Sequence, residues 1–162
     1  MTSDQNTSSN PALNKAMLEA VDFIHAEGWD ANPTLFALVP VELLGLPEEE
    51  GPLALVVQDP IEEAIEDFLP RVSWPAEVEG VILAQEIKFR EEGAESARPA
   101  RLFSGVLRDE SHLTLLQLRP DESELDAPFA EDNIELRGGP GVAPEVIEAL
   151  RYTLESADEQ LG

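Results

Sequence analysis

RLFSGVLRDESHLTLLQLR, residues Arg101–Arg119, carries the best-defined strand signal in the chain. Two β-like runs meet at Asp109–Glu110–Ser111, and their register determines which side chains share a face. A four-residue loop, Asp109–His112, with Arg108 opposite Leu113, sets Phe103 against Leu118, Gly105 against Leu116 and Leu107 against Thr114. That makes one largely apolar face. The other face then holds Leu102, Val106, Leu113 and Leu115, diluted by Ser104, Gln117, Arg108 and Arg119. A three-residue loop would set Arg101 opposite Arg119, an unfavourable like-charge pair, so the longer loop is preferred. Gly105 in mid-strand marks a bulge or makes room for Leu116. Neither face is cleanly polar, which points to central strands of a larger sheet.

Around this hairpin the chain is 162 residues long, 43% apolar and without cysteine. That length suits one domain, with a real core and no disulfide framework. The formal charge is −24, from 34 acids and 10 bases, and it is unevenly spread. Val81–Arg119 balances six bases against six acids, leaving four bases against 28 acids elsewhere. Such a field repels nucleic acid and anionic membranes, both of which are bound by neutralising phosphate with Lys and Arg. No apolar run approaches a membrane span and the N-terminus has no secretory pattern, so a cytoplasmic location is expected.

In chain order, Met1–Asn10 reads as a disordered tail and residues 11–162 as a single domain. Asn10 and Pro11 open a helix whose stripe is Leu13, Met17, Val21 and Ile24, thickened by Ala16 and Ala20 and closed by Gly28. Thr34–Val39 and Leu53–Gln58 read as strands, with a helical turn from Pro40 to Leu44 between them. Asp59, Pro60 and Glu62 give the spacing of a helix start, predicting a second helix over Asp59–Leu69. Val81–Phe89 is a third strand, and Arg90–Pro99 a charged loop into the hairpin. Pro120–Asp132 holds six acids and no base; Ile134–Leu136 is a short run that can touch the core. Gly138–Gly141 is a tight loop, and Pro144 opens a last helix reaching about Gln160, with Val146, Ile147, Leu150 and Leu154 buried. The predicted fold class is α+β, in the order α-β-β-α-β-β-β-α. It comprises a mostly antiparallel sheet of about five strands, with the N- and C-terminal helices packed on one face.

GWD at Gly28–Asp30, LFALVP at Leu35–Pro40, SWP at Ser73–Pro75, GVLRD at Gly105–Asp109 and GPGVAPEVIEALRYTLE at Gly139–Glu155 resemble a family of small, acidic, uncharacterised bacterial proteins. The likeness covers nearly the whole chain after the tail. It implies a stand-alone cytoplasmic protein and supplies no activity.

The sequence also holds no recognisable catalytic or metal motif. Asp121–Asp132 has the length of a calcium loop, but Leu125 stands at the fifth position and Asp126 replaces the required glycine. Gly138–Gly141 lacks the Lys and Ser/Thr of a phosphate loop. His112 beside Ser111 and Asp109 is a turn rather than a triad. No catalytic residue, metal or cofactor is therefore assigned. The candidate binding residues are Leu102, Val106, Leu113 and Leu115 with Arg108 and Arg119 on the mixed hairpin face, together with Trp29 and Trp74. Two covers are open for that face: a second copy or a protein partner, its acids meeting the arginines, or the Asp59–Leu69 helix alone. The resulting expectation is a non-enzymatic adaptor or chaperone-like protein, with an enzyme using scattered carboxylates and arginines as the alternative.

Overall fold

The computed structural model describes residues 11–29, 32–45, 52–89, 93, 95, 97–109, 111–118, 136–138 and 144–161. The tail Met1–Asn10, Arg119, the acidic stretch Pro120–Asp132 and the Gly139–Gly141 loop lie outside them. The chain begins with α1 (Pro11–Glu27), followed by β1 (Thr34–Pro40), a 3₁₀ turn (Val41–Leu44) and β2 (Leu53–Val57). A short α2 (Ile65–Phe68) continues as a 3₁₀ turn (Leu69–Arg71). Then come β3 (Gly80–Phe89), β4 (Arg98–Leu107), β5 (His112–Leu118), β6 (Leu136–Gly138) and α3 (Pro144–Leu161).

The strands form one sheet in the order β2-β1-β3-β4-β5-β6, every neighbouring pair antiparallel. The class is α+β, as the pattern of elements implied. The sixth strand, β6, lies at the end of the short run read as touching the core.

The hairpin register differs from the expected one by three residues. Gly105 pairs with Leu113, Phe103 with Leu115, Leu102 with Leu116 and Arg101 with Gln117. The connection is Arg108–Ser111 rather than Asp109–His112, because β4 ends at Leu107, whose N–H donates to the Ser111 carbonyl at 2.9 Å, and β5 already begins at His112. Asp109 Oδ1 accepts the Ser111 N–H at 2.9 Å and tightens the turn. Arg108, expected to face Leu113, instead leaves the ladder: its N–H donates to the Glu79 carbonyl, across on the β3 side.

An odd shift moves every side chain of one strand to the other face. Phe103 and Leu107 therefore join Leu113 and Leu115 on one face, while Leu102 and Val106 join Leu116 on the other. Both faces are apolar, and each needs its own cover. This corrects the placement of the helices: α1 and α3 lie on opposite faces of the sheet, not on one. Leu13, Met17, Val21 and Ile24 of α1, with Ala16 and Ala20, pack on Phe36, Leu38, Ile82, Ala84 and Phe103. Ile147, Leu150 and Leu154 of α3 pack on Leu35, Ala37, Val81, Leu83 and Val106.

α1 ends where Gly28 adopts φ +91 and donates its N–H to the Ile24 carbonyl at 3.1 Å. The predicted Asp59–Leu69 helix is far shorter than its start signals suggested. The Gln58 and Ile61 N–H groups donate to the Leu35 and Pro33 carbonyls at 2.9 and 2.8 Å, which binds this segment to β1. Ile61 is buried, and the helix begins only after Ala64. Tertiary hydrogen bonding overrides the local cap.

Gly105 opens no bulge, since β4 pairs continuously with both neighbours. A Cβ at this position would meet Met17 Cε at 3.0 Å and Leu13 Cδ1 at 3.2 Å, so the glycine lets α1 sit close on the sheet. At Gly80 a Cβ would press into Leu107 Cδ2 and the Val106 carbonyl oxygen. Side-chain ends can shift and a ladder carbonyl cannot. Gly80→Ala is therefore expected to destabilise by about 1–3 kcal/mol and Gly105→Ala by less. Urea denaturation followed by circular dichroism checks the order.

Candidate functional site

Three residues hold α3 at its angle to the sheet. The Arg108 guanidinium donates from Nε to the Val78 carbonyl at 2.6 Å, from Nη1 to the Leu154 carbonyl at 2.9 Å and from Nη2 to the Pro75 carbonyl at 3.1 Å. Its planar fork thus ties the turn before β3 to the third helix. Trp74, half-buried, donates from Nε1 to Thr153 Oγ1 at 3.0 Å, and that hydroxyl donates to the Leu150 carbonyl at 2.6 Å.

Held in this way, the first turns of α3 stand away from α2 and the 3₁₀ turn after it. Between them lies a groove of about 550 Å³. Ile65, Glu66, Leu69 and Pro70 form one wall, Glu145, Val146, Ala149 and Tyr152 the other, and Gln85 of β3 lies between. Leu69 is buried and anchors its wall to the core around Val81 and Leu83. An ion pair between Arg71 and Glu63, with Arg71 Nε donating to the Asp67 carbonyl at 3.2 Å, braces the same wall from outside.

The lining is mostly hydrocarbon. Among the described residues its charged members are the exposed carboxylates Glu66 and Glu145, and no Lys, Arg, His or Cys lines it. Gln85 and the Tyr152 hydroxyl supply neutral hydrogen-bonding groups. Such a lining can hold an apolar group and favour positive charge beside it, and it contains no nucleophile paired with a base. Among the described residues no cluster of three or more metal-ligating side chains occurs. Nor is any helix there long and apolar enough to cross a membrane.

Among the described residues, none of the sequence-predicted site residues lines this groove. Leu102 and Val106 are buried on the α3 side of the sheet, while Leu113 and Leu115 pack against the α1 cluster on the opposite side. The expected mixed face of these four is therefore divided between two cores. Arg108 and Trp74 brace α3. Trp29, just past α1, lies under the guanidinium of Arg101, 4.0 Å from its ring centroid. Arg119 is outside the described residues. The signal that could have revealed the groove is the apolar surplus on two helices. Val146, Ala149 and Tyr152 repeat at i, i+3 and i+6 beside the buried stripe of α3, and Ile65 and Leu69 do so at i, i+4.

These features define an α+β protein whose antiparallel sheet carries a helix on each face and an apolar groove beside the second helix. The chain belongs to the PPA1309-like protein family, whose model matches residues 13–155, from the first buried leucine of α1 to late in α3. The family is uncharacterised, in agreement with the resemblance of the GWD, LFALVP, SWP and C-terminal motifs. No curated protein and no solved structure matches the chain.

Proposed function

We propose that this is a non-enzymatic binding protein of the adaptor or chaperone-like kind, whose groove receives a short apolar segment of a protein partner flanked by Lys or Arg. The groove's lining supports this reading: among the described residues it has hydrocarbon walls with two carboxylates and no base. A net charge of −24 adds a field that draws basic segments and raises their encounter rate. The alternative, an enzyme with a carboxylate and arginine-lined site, has less support: among the described residues this lining holds carboxylates and no arginine.

The test is a titration, followed by NMR, with peptides of Leu and Phe flanked either by Lys or by Glu. The Lys-flanked series is expected to bind and to shift the amides of Ile65, Val146, Ala149 and Tyr152. Ala149→Trp, which fills the groove from an accessible helix face, is expected to weaken that binding by about tenfold or more, a loss of at least about 1.4 kcal/mol. Glu66→Lys combined with Glu145→Lys should do the same while leaving the fold intact. Binding that ignores both variants, or prefers Glu-flanked peptides, overturns the proposal.

A further inference from the structure

β2 is an outer strand of the sheet, and its free side is unusually plain. The Gln58 N–H donates to the Leu35 carbonyl and the Val41 N–H to the Pro52 carbonyl, so Gln58, Val56, Ala54 and Pro52 direct their main-chain groups at β1. By alternation, the N–H and C=O groups of Leu53, Leu55 and Val57 point away from the sheet. Among the described residues no strand lies on that side. Outer strands are normally guarded by an inward-pointing charge, a mid-strand proline or a bulge. Here residues 51–58 contain no charged side chain, the register with β1 is unbroken, and Pro52 lies just before the strand. Val57 is 42% exposed, and Leu43 and Leu44, in the turn between β1 and β2, are exposed as well.

The surrounding charge specifies what this edge can accept. From residue 16 to residue 70 the chain has thirteen acids and not one Lys or Arg. The strand is bracketed by exposed Glu42 near its start and exposed Asp59 and Glu62 beyond its end. A second copy pairing antiparallel about Leu55 would bring Glu42 of each molecule toward Asp59 and Glu62 of the other, and like charges so placed repel. An extended segment with an apolar middle and basic ends meets the opposite pattern at every position.

We infer that β2 is a strand-addition site for a basic, extended segment of a protein partner, joined through the main-chain groups of Leu53, Leu55 and Val57. None of the groove residues belongs to β2, so this surface is separate from the groove.

The probe is a synthetic peptide of alternating Val and Thr with Lys pairs at both ends, about nine residues long to span the strand at roughly 3.3 Å per residue. With the full chain, the peptide is expected to slow amide exchange at Leu53, Leu55 and Val57, with affinity falling steeply as salt rises. Methylating the alternate peptide nitrogens that face β2, or exchanging its Lys for Glu, should weaken binding by about tenfold or more. Val57→Lys changes an exposed side chain and leaves the β1 ladder intact; it should weaken binding comparably. Ala149→Trp should leave it unchanged. Three results would overturn the assignment: no protection of these amides, binding indifferent to the methyl groups and to Val57→Lys, or protection that depends on protein concentration without peptide. The last would make a second copy the occupant.

Discussion

Arg101→Glu is expected to destabilise the chain by about 3–5 kcal/mol, whereas Arg101→Met is expected to cost no more than about 2 kcal/mol. Arg101 is 1% exposed, the largest of the fully buried side chains. It stacks over Trp29 and donates from Nη1 to Gln117 Oε1 at 3.0 Å, and its register partner on β3 is Glu86. A carboxylate at this position loses the cation–π contact and stands beside Glu86 with little water to screen it. Breaking a buried charge arrangement costs about 3–5 kcal/mol, against a total stability of about 5–15 kcal/mol for a domain. Methionine fills similar space and needs no counter-charge, so its effect should stay within about 2 kcal/mol. Far-UV circular dichroism with urea titration separates the two outcomes. Equal loss in both variants would show that the guanidinium's own contacts with Trp29 and Gln117, rather than the sign of the charge, hold this position.

The second large effect is expected at Arg108. Arg108→Ala removes three hydrogen bonds from a cationic donor and leaves the carbonyls of Pro75, Val78 and Leu154 to find other partners. At about 1.5–3 kcal/mol for each bond to a charged group, and less than additively, the loss should be about 3–5 kcal/mol. At roughly 2–4 °C per kcal/mol for a chain of this size, the thermal midpoint should fall by about 6–20 °C. Arg108→Lys keeps the charge but cannot reach three carbonyls at once, and should recover less than half of the difference. Because the clasp fixes α3, both variants should also broaden the NMR signals of Val146 and Ala149 in the groove. A thermal midpoint unchanged in Arg108→Ala would refute the clasp.

The two long helices and the first five strands were legible in the sequence because their signals are local. Pro11 and Gly28 bracket the stripe of α1, and all six stripe residues are buried as read. The register was not legible, for a physical reason. With helices on both faces, β4 and β5 carry apolar side chains on each face, with polar ones such as Arg101, Ser104 and Gln117 among them, so alternation distinguishes little. The turn is set instead by Arg108, whose partners lie some 30 and 46 residues away in the chain. The like-charge objection to a shorter loop rested on Arg101 facing Arg119; in the observed pairing Arg101 meets Gln117, which accepts its hydrogen bond. The shared face expected for Leu102, Val106, Leu113 and Leu115 was misread for a related reason. Leu102 and Val106 looked unpartnered only because α3 had been assigned to the other face. The groove arises where α3 and the short α2 diverge, an angle that no periodicity encodes.

The strand order has a further consequence, for the way the molecule comes apart and together. β1 and β2 form a hairpin, and β3 to β6 follow one another as a meander, so nearly all pairings join strands adjacent in the chain. The exception is the seam between β1 and β3, from Thr34–Ala84 to Leu38–Gly80. Closing the intervening loop adds only slowly to the entropy lost, because that cost grows with the logarithm of loop length. Either side of the seam could form from its own neighbours; neither alone buries both of its faces. Phe36 with Ile82 under α1, and Leu35 with Leu83 under α3, lie across it. This single non-local pairing converts a hairpin and a meander into one cooperative unit.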